Sequence, residues 1–191
     1  MNALSKRKTP FLFIIDYELH DPIILQLTDV NPNEILNDIN GVSNFDNIKT
    51  PTKKLKFNFS PVNYTRYKKA FNLVQQHILH GNSFLLNLTM PSDVECNYSL
   101  REIFAVSHAK YKIWLKDRFV VYSPEIFIQI KEGKISSFPM KGTIDAGFPN
   151  AKNTLLSSKK EVAEHHTIVD LIRNDLSMVA KNVRVARFQY I

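Results

Sequence analysis

The hydrophobic and polar positions along the chain divide it into strand-length and helix-length segments. Pro10 to Asp16 (Pro-Phe-Leu-Phe-Ile-Ile-Asp) is an apolar run of the length a buried strand uses, and Ile23 to Leu27 repeats the pattern. Asn31 to Lys56 is rich in Asn and Pro and is the most loop-like part, read either as a linker or as a short helix around Glu34 to Ile39. Tyr64, Tyr67, Phe71, Val74 and Ile78 step by 3, 4, 3 and 4, which predicts a helix over 63–81 with one apolar face. Gly81 supplies its C-terminal stop. Ser83 to Thr89 reads as a strand, and Ser99-x-x-Glu102 is a capping box that opens a short helix. Strands follow over Tyr111 to Leu115, Arg118 to Tyr122 and Ile126 to Ile130, the last turning at Glu132-Gly133 into Lys134 to Phe138. Gly142 to Ser157 is polar and irregular. Ser158-x-x-Glu161 opens a second helix to about Asp175, and Val183 to Ile191 alternates like a strand. Strands joined by short turns, with helices between them, predict an α+β fold with antiparallel sheets and helices packed outside.

At 191 residues the chain has the length of one domain, or of the larger part of one. It is 44% hydrophobic and 23% charged, which excludes a disordered tail or a disulfide scaffold. Cys96 is alone, so no intrachain disulfide forms, and a reducing cytoplasm is the expected compartment. No apolar run reaches the ~20 residues of a membrane helix.

Charge adds an asymmetry. The formal net charge is +7; residues 1–95 carry 10 basic and 9 acidic side chains, and residues 96–191 carry 15 and 9. A basic second half points to an anionic partner. The basic residues come singly or in pairs and not in the blocks that mark polyanion patches, so a small anionic substrate explains them as well as nucleic acid does.

Four segments can carry chemistry. In Pro139-Met140-Lys141-Gly142-Thr143 a lysine meets a glycine, whose freedom lets a ligand approach main-chain N–H groups. Lys141 is then either a nucleophile, if its amine is desolvated, or a surface lysine before a turn. Glu125, in Ser123-Pro124-Glu125, lies at the open end of the same hairpin, so the two form either an acid/base and nucleophile pair or a plain cross-strand ion pair. Glu161 and Glu164 share one helix face, which suits Mg²⁺, although Glu161 also serves the capping box. His165 and His166 are adjacent and point apart. Asp170 and Arg173 read as a structural helix pair.

Taken in order, these segments resemble the chorismate-utilising enzymes. Gly81 to Thr89 (Gly-Asn-Ser-Phe-Leu-Leu-Asn-Leu-Thr) is similar to their Gly-Asp-x-(aromatic)-Gln-Val-Asn-Leu-Thr stretch. Ser123-Pro-Glu-x-Phe127 resembles Ser-Pro-Glu-x-Phe, and Pro139-Met-Lys-Gly-Thr143 resembles Pro-Ile-Lys-Gly-Thr. Glu161-x-x-Glu164-His165 followed by Ile168 to Leu176 resembles the family's Glu-x-x-Glu-His and Val-Asp-Leu-x-Arg-Asn-Asp-Leu run. The resemblance covers about Ser60 to Ile191, the N-terminal part of the catalytic domain, with 1–59 as a shortened N-terminal region. The family includes anthranilate, aminodeoxychorismate, isochorismate and salicylate synthases. Anthranilate synthases typically carry Ala at the position of Lys141, whereas lysine marks many aminodeoxychorismate synthases, so the resemblance is to component I of the latter.

That resemblance implies conversion of chorismate and ammonia to 4-amino-4-deoxychorismate, on the way to p-aminobenzoate and folate. It implies Lys141 as nucleophile at C2 and Glu125 as general acid/base. It assigns Gly142 and Thr143 to a substrate carboxylate, Glu164 to Mg²⁺ as a direct ligand, and Glu161 to support of the same site. The implied partner is a glutamine amidotransferase subunit that supplies ammonia, with no nucleic acid and no membrane. The chain departs from the family at Asn82, which replaces Asp, and at Ser107 to Lys110, which replaces a stretch used for tryptophan binding. The family continues well beyond this length with further substrate and Mg²⁺ residues, so a truncated chain with little turnover is one expectation. Two other readings are a sibling synthase and a basic binding module without activity.

Overall fold

The computed structural model describes residues 1–191 and contains five α-helices and ten short strands. After a short helix α1 (Asn2–Lys6), β1 (Phe11–Ile14) pairs antiparallel with β2 (Ile23–Gln26), Phe11 opposite Gln26 and Ile14 opposite Ile23. A 3₁₀ turn over Leu27–Asp29 leads to β3 (Ile35–Ile39) and β4 (Val42–Ser43). Then come β5 (Phe57–Ser60), α2 (Tyr64–Leu79), β6 (Asp93–Cys96) and α3 (Leu100–Val106). They are followed by β7 (Tyr111–Leu115), β8 (Phe119–Ser123), β9 (Gln129–Lys131) and β10 (Lys134–Ser136). Helices α4 (Ala151–Ser157) and α5 (Lys159–Ser177) complete the order. One four-stranded sheet runs β4-β3-β7-β8, and β5-β6 and β9-β10 are antiparallel pairs. The mixed helix and antiparallel-sheet class is the one the pattern of segments predicts.

The chain divides into two compact units. The first comprises residues 1–45, 108–113 and 121–191; the second comprises 46–107 and 114–120. In the first unit, β3 is an inner strand, and Ile35, Leu36 and Asn37 are consecutive buried residues, so both its faces are covered. Val30 is buried as well. Asn44 serves the polar groups of β3: its Oδ1 accepts from the Asn37 N–H at 2.9 Å, and its Nδ2 donates to the Ile35 carbonyl at 2.8 Å. Asn40 (φ 55°) and Gly41 (φ 84°) form the two-residue turn between β3 and β4, in the left-handed region that Asn-Gly hairpin turns require. In the second unit the buried side chains are Phe104, Trp114 and Leu115. Asn63 caps α2 by accepting the Thr65 N–H, and Ser99 and Glu102 form both halves of the capping box on α3.

Four expectations are corrected. The segment 34–39 is a strand and not a helix, because β4 and β7 bracket it and its apolar residues bury on both faces. Residues 83–89 form no strand; Ser83 Oγ instead donates to the Leu85 carbonyl, a local turn that competes with sheet pairing. Residues 183–191 form no strand either; Asn182 and Gln189 take positive φ, which breaks an extended run at both ends. The irregular segment 142–157 holds helix α4, which opens at Asn150 in the left-handed conformation.

Helix α2 appears where its period places it, yet buries no residue. Tyr64 is 70% exposed, Tyr67 and Phe71 are also open to solvent, and the Tyr67 and Phe71 rings stack 6.1 Å apart. No helix is long and apolar enough to cross a membrane.

Candidate functional site

The candidate residues all lie in the first unit, and backbone geometry gathers most of them. Ser123 opens the site. Its Oγ accepts the Glu125 N–H at 3.1 Å and donates to the Glu125 carbonyl at 2.7 Å, so the Ser-Pro-Glu segment is a tight side-chain-closed turn at the end of β8. The turn leaves Glu125 partly buried with its carboxylate directed at the other arm of the hairpin, where Oε1 accepts the Met140 N–H at 3.1 Å. A second bond, from Ser137 Oγ to the Phe127 carbonyl at 3.1 Å, joins the same two arms outside β9 and β10. The β9-β10 turn at Glu132 and Gly133 sets this register, with Lys131 opposite Lys134. Glu125 is thus adjacent to Lys141, as the hairpin predicts, but not as an ion pair: a main-chain amide holds the carboxylate, and the Lys141 side chain is exposed, so the fold of this chain does not itself desolvate the amine.

Gly142 makes the next connection. Its φ is +76°, and a methyl group on its Cα would stand 3.0 Å from Glu161 Oε2 and 2.9 Å from Leu155 Cδ1. The main chain between Lys141 and Thr143 therefore lies against the first turn of α5, closer than a Cβ would allow unless Leu155 and Glu161 shift. Thr143 is exposed beside it.

Ser158 caps α5 by accepting the Glu161 N–H, at 3.4 Å. Whereas Glu102 returns its carboxylate to its own cap on α3, the Glu161 carboxylate faces Gly142 and Lys160. The sequence leaves Glu161 divided between capping and metal binding; the structure frees its oxygens. Lys160 Nζ lies 3.7 Å from Glu161 Oε1 and 3.8 Å from Glu164 Oε1, with the glutamate side chains 24% and 35% exposed. Two half-buried carboxylates therefore direct oxygens at one cation. That donor set suits a hard, oxygen-seeking ion such as Mg²⁺, which takes one or two protein carboxylates and completes its shell with water and substrate oxygens. No group of three or more His, Cys, Asp or Glu side chains forms a fuller cage.

Further along α5, His165 and His166 do not point apart as their adjacency predicts: both pack on Phe188, at ring-centroid distances of 4.9 and 4.4 Å. Burial, aided by the neighbouring His166, lowers the His165 pKa below its usual value. Arg173 Nη2 bonds Asp170 Oδ1 at 2.6 Å, the structural helix pair the spacing predicts.

Three contributors escaped the sequence reading: the Met140 N–H, Leu155 and Lys160. A main-chain donor leaves no mark in the residue type, and Leu155 lies on a helix the composition conceals. Lys160 had a signal in its i,i+4 spacing to Glu164.

Comparison with known proteins decides the family. The chorismate-binding enzymes match residues 26–191. The chain belongs to the chorismate-binding enzyme family. An uncharacterized PabA-like protein of Haemophilus influenzae is 46% identical over 190 residues, covering all of this chain and 58% of that protein. A second PabA-like protein, from Pasteurella multocida, is 42% identical and is covered to 59%. The chloroplastic anthranilate synthase alpha subunit 2 of Oryza sativa is 30% identical over 148 residues, covering 70% of this chain and 24% of that subunit. The chain spans about three fifths of the length of the bacterial relatives it matches. No solved structure matches it.

Proposed function

We propose that the chain carries the chemistry of aminodeoxychorismate synthase component I, in which chorismate and ammonia give 4-amino-4-deoxychorismate and water. The observation that carries this reading is the joining of Glu125 to the Pro139–Thr143 segment through the Met140 N–H. It sets a carboxylate one residue from Lys141, the residue that separates this chemistry from that of anthranilate synthases with Ala there.

The roles follow from charge and bonding. A lysine attacks as its neutral amine. Lys141 Nζ bonds to C2 of chorismate, the ring double bond shifts, and the C4–O bond breaks. Glu125 gives the departing oxygen its proton, so that water leaves. Ammonia then bonds to C4, the double bond shifts back, and the C2–N bond breaks to return Lys141 as free amine. Glu125 takes the proton that the new C4 amine sheds. Gly142 and Thr143 offer main-chain N–H groups and a hydroxyl to a substrate carboxylate. Glu164, with Glu161 in support, would hold Mg²⁺, which supplies positive charge against the ring carboxylate. A glutamine amidotransferase subunit as ammonia source, and a reducing cytoplasm as compartment, complete the reading.

The test incubates the purified chain with chorismate, Mg²⁺ and excess ammonium at alkaline pH and identifies products by mass, with Lys141→Ala in parallel. Aminodeoxychorismate from the parent and none from the variant is the expected result. Product formation that survives Lys141→Ala, or no product from the parent, overturns it. The 30% identity to a plant anthranilate synthase favours a second reading, which predicts anthranilate and pyruvate in the same assay.

A further inference from the structure

Lys160 occupies a position that helix energetics alone do not favour. It lies in the first turn of α5, where the N–H ends of the helix create positive potential and an ammonium is disfavoured. Its order relative to Glu164, lysine first and glutamate four residues later, is the weaker of the two orientations. What draws the ammonium there is the pair of like-charged carboxylates at Glu161 and Glu164, which repel each other across one helix face unless a cation stands near both.

The contact is a loose one. At 3.7 and 3.8 Å, both distances exceed the 2.7–2.9 Å typical of a charge-assisted hydrogen bond. The Lys160 side chain is 76% exposed, so its ammonium can turn into solvent with little desolvation of its own to reverse. Arg173 and Asp170, on the same helix, show the contrast: at 2.6 Å they form a closed pair.

We propose that Lys160 is the displaceable counter-ion of the Glu161–Glu164 pair and sets its affinity for a divalent cation. The ammonium offsets carboxylate repulsion while the pair holds no metal, and a divalent ion must displace it to bind. The proposal rests on the reading of Glu161 and Glu164 as metal-binding residues. It makes Lys160 a residue that tunes binding and not one that touches substrate. The competition is worth about the strength of one exposed ion pair, a factor of about two to five in affinity. It weakens with added salt, which screens exposed charges.

The test titrates Mn²⁺ alone, followed by electron paramagnetic resonance of the free ion, into the full 191-residue chain and its variants. Circular dichroism first establishes that each variant keeps the parent's helix content. Lys160→Met keeps the stem and removes the charge; Lys160→Gln is a second route to the same change; Lys160→Arg keeps the charge. The expected result is affinity about two- to fivefold higher for Lys160→Met and Lys160→Gln, near the parent for Lys160→Arg, and lost in Glu164→Gln. Equal or weaker affinity in both uncharged variants, with binding still lost in Glu164→Gln, overturns the role of Lys160 and leaves the metal reading standing. Binding that is absent from every variant, or indifferent to Glu164→Gln, overturns the metal reading and the counter-ion role with it.

Discussion

Gly142→Ala tests how the Pro139–Thr143 segment is held against α5. Gly142 sits at φ +76°, where a residue with a Cβ pays about 1–2 kcal/mol. The added methyl would also meet Leu155 Cδ1 at 2.9 Å and Glu161 Oε2 at 3.0 Å. Both atoms end flexible side chains and can swing aside, so the backbone strain dominates the stability loss and the contacts dominate the loss of function. Gly133→Ala is the matched control: its φ is +71°, with nothing within 4 Å of the added methyl. Urea denaturation should place both variants about 1–2 kcal/mol below the parent. Divalent-cation titration should then separate them, with Gly142→Ala weakened because Glu161 is pushed off its position and Gly133→Ala unchanged. Equal stability of Gly142→Ala and the parent would refute the strained left-handed conformation. Equal cation affinity of the two variants would refute the contact between this glycine and Glu161.

Other expectations follow from the same structure. Leu36→Ala removes a side chain only 1% exposed from the inner strand of the four-stranded sheet, and chemical denaturation should show a loss of about 2–5 kcal/mol. Glu125→Gln keeps a carbonyl oxygen that can accept the Met140 N–H but cannot cycle a proton, so turnover should fall about 10²–10⁴-fold with little change in the denaturation midpoint. The backbone N–H and hydroxyl of Ser99, with Lys53 nearby, hold the Glu102 carboxyl below its ordinary value. Its contribution is therefore present above pH 4.5 and lost as pH falls through the lowered folded-state value, because the unfolded chain takes up the proton first. An acid titration of stability should be shallower in Glu102→Gln than in the parent.

Legibility in the sequence tracked how local each determinant is. Helix α2 is readable from its apolar period and Gly81 stop, and α3 and α5 from their Ser-x-x-Glu caps, all signals that lie within a few residues. The β9-β10 hairpin was readable from Glu132-Gly133. The β3-β4 hairpin carries an equally local signal, Asn40-Gly41, but the surrounding Asn and Pro residues mask it. That Ile35 to Ile39 becomes a strand depends on β7, some seventy residues away, and no local pattern reports such a pairing. The failed strands at 83–89 and 183–191 show the converse, since β-rich composition forms no ladder without a partner. At the site, the residue types and their grouping were legible from the motifs. The distances were not, because they depend on the register of one hairpin and on a glycine's close approach to a helix.

The bond from the Met140 amide to Glu125 has a consequence for how the chain can vary. The donor belongs to the main chain, so the side chain at 140 is not what holds the carboxylate. Methionine, isoleucine, leucine or valine at that position would all present the same N–H. Proline alone has no amide hydrogen to give. For this bond, position 140 is open to nineteen residue types and closed to one, and a substitution scan of that codon should show its sharpest dip at proline. A contact built this way can persist through sequence drift while every letter at the position changes.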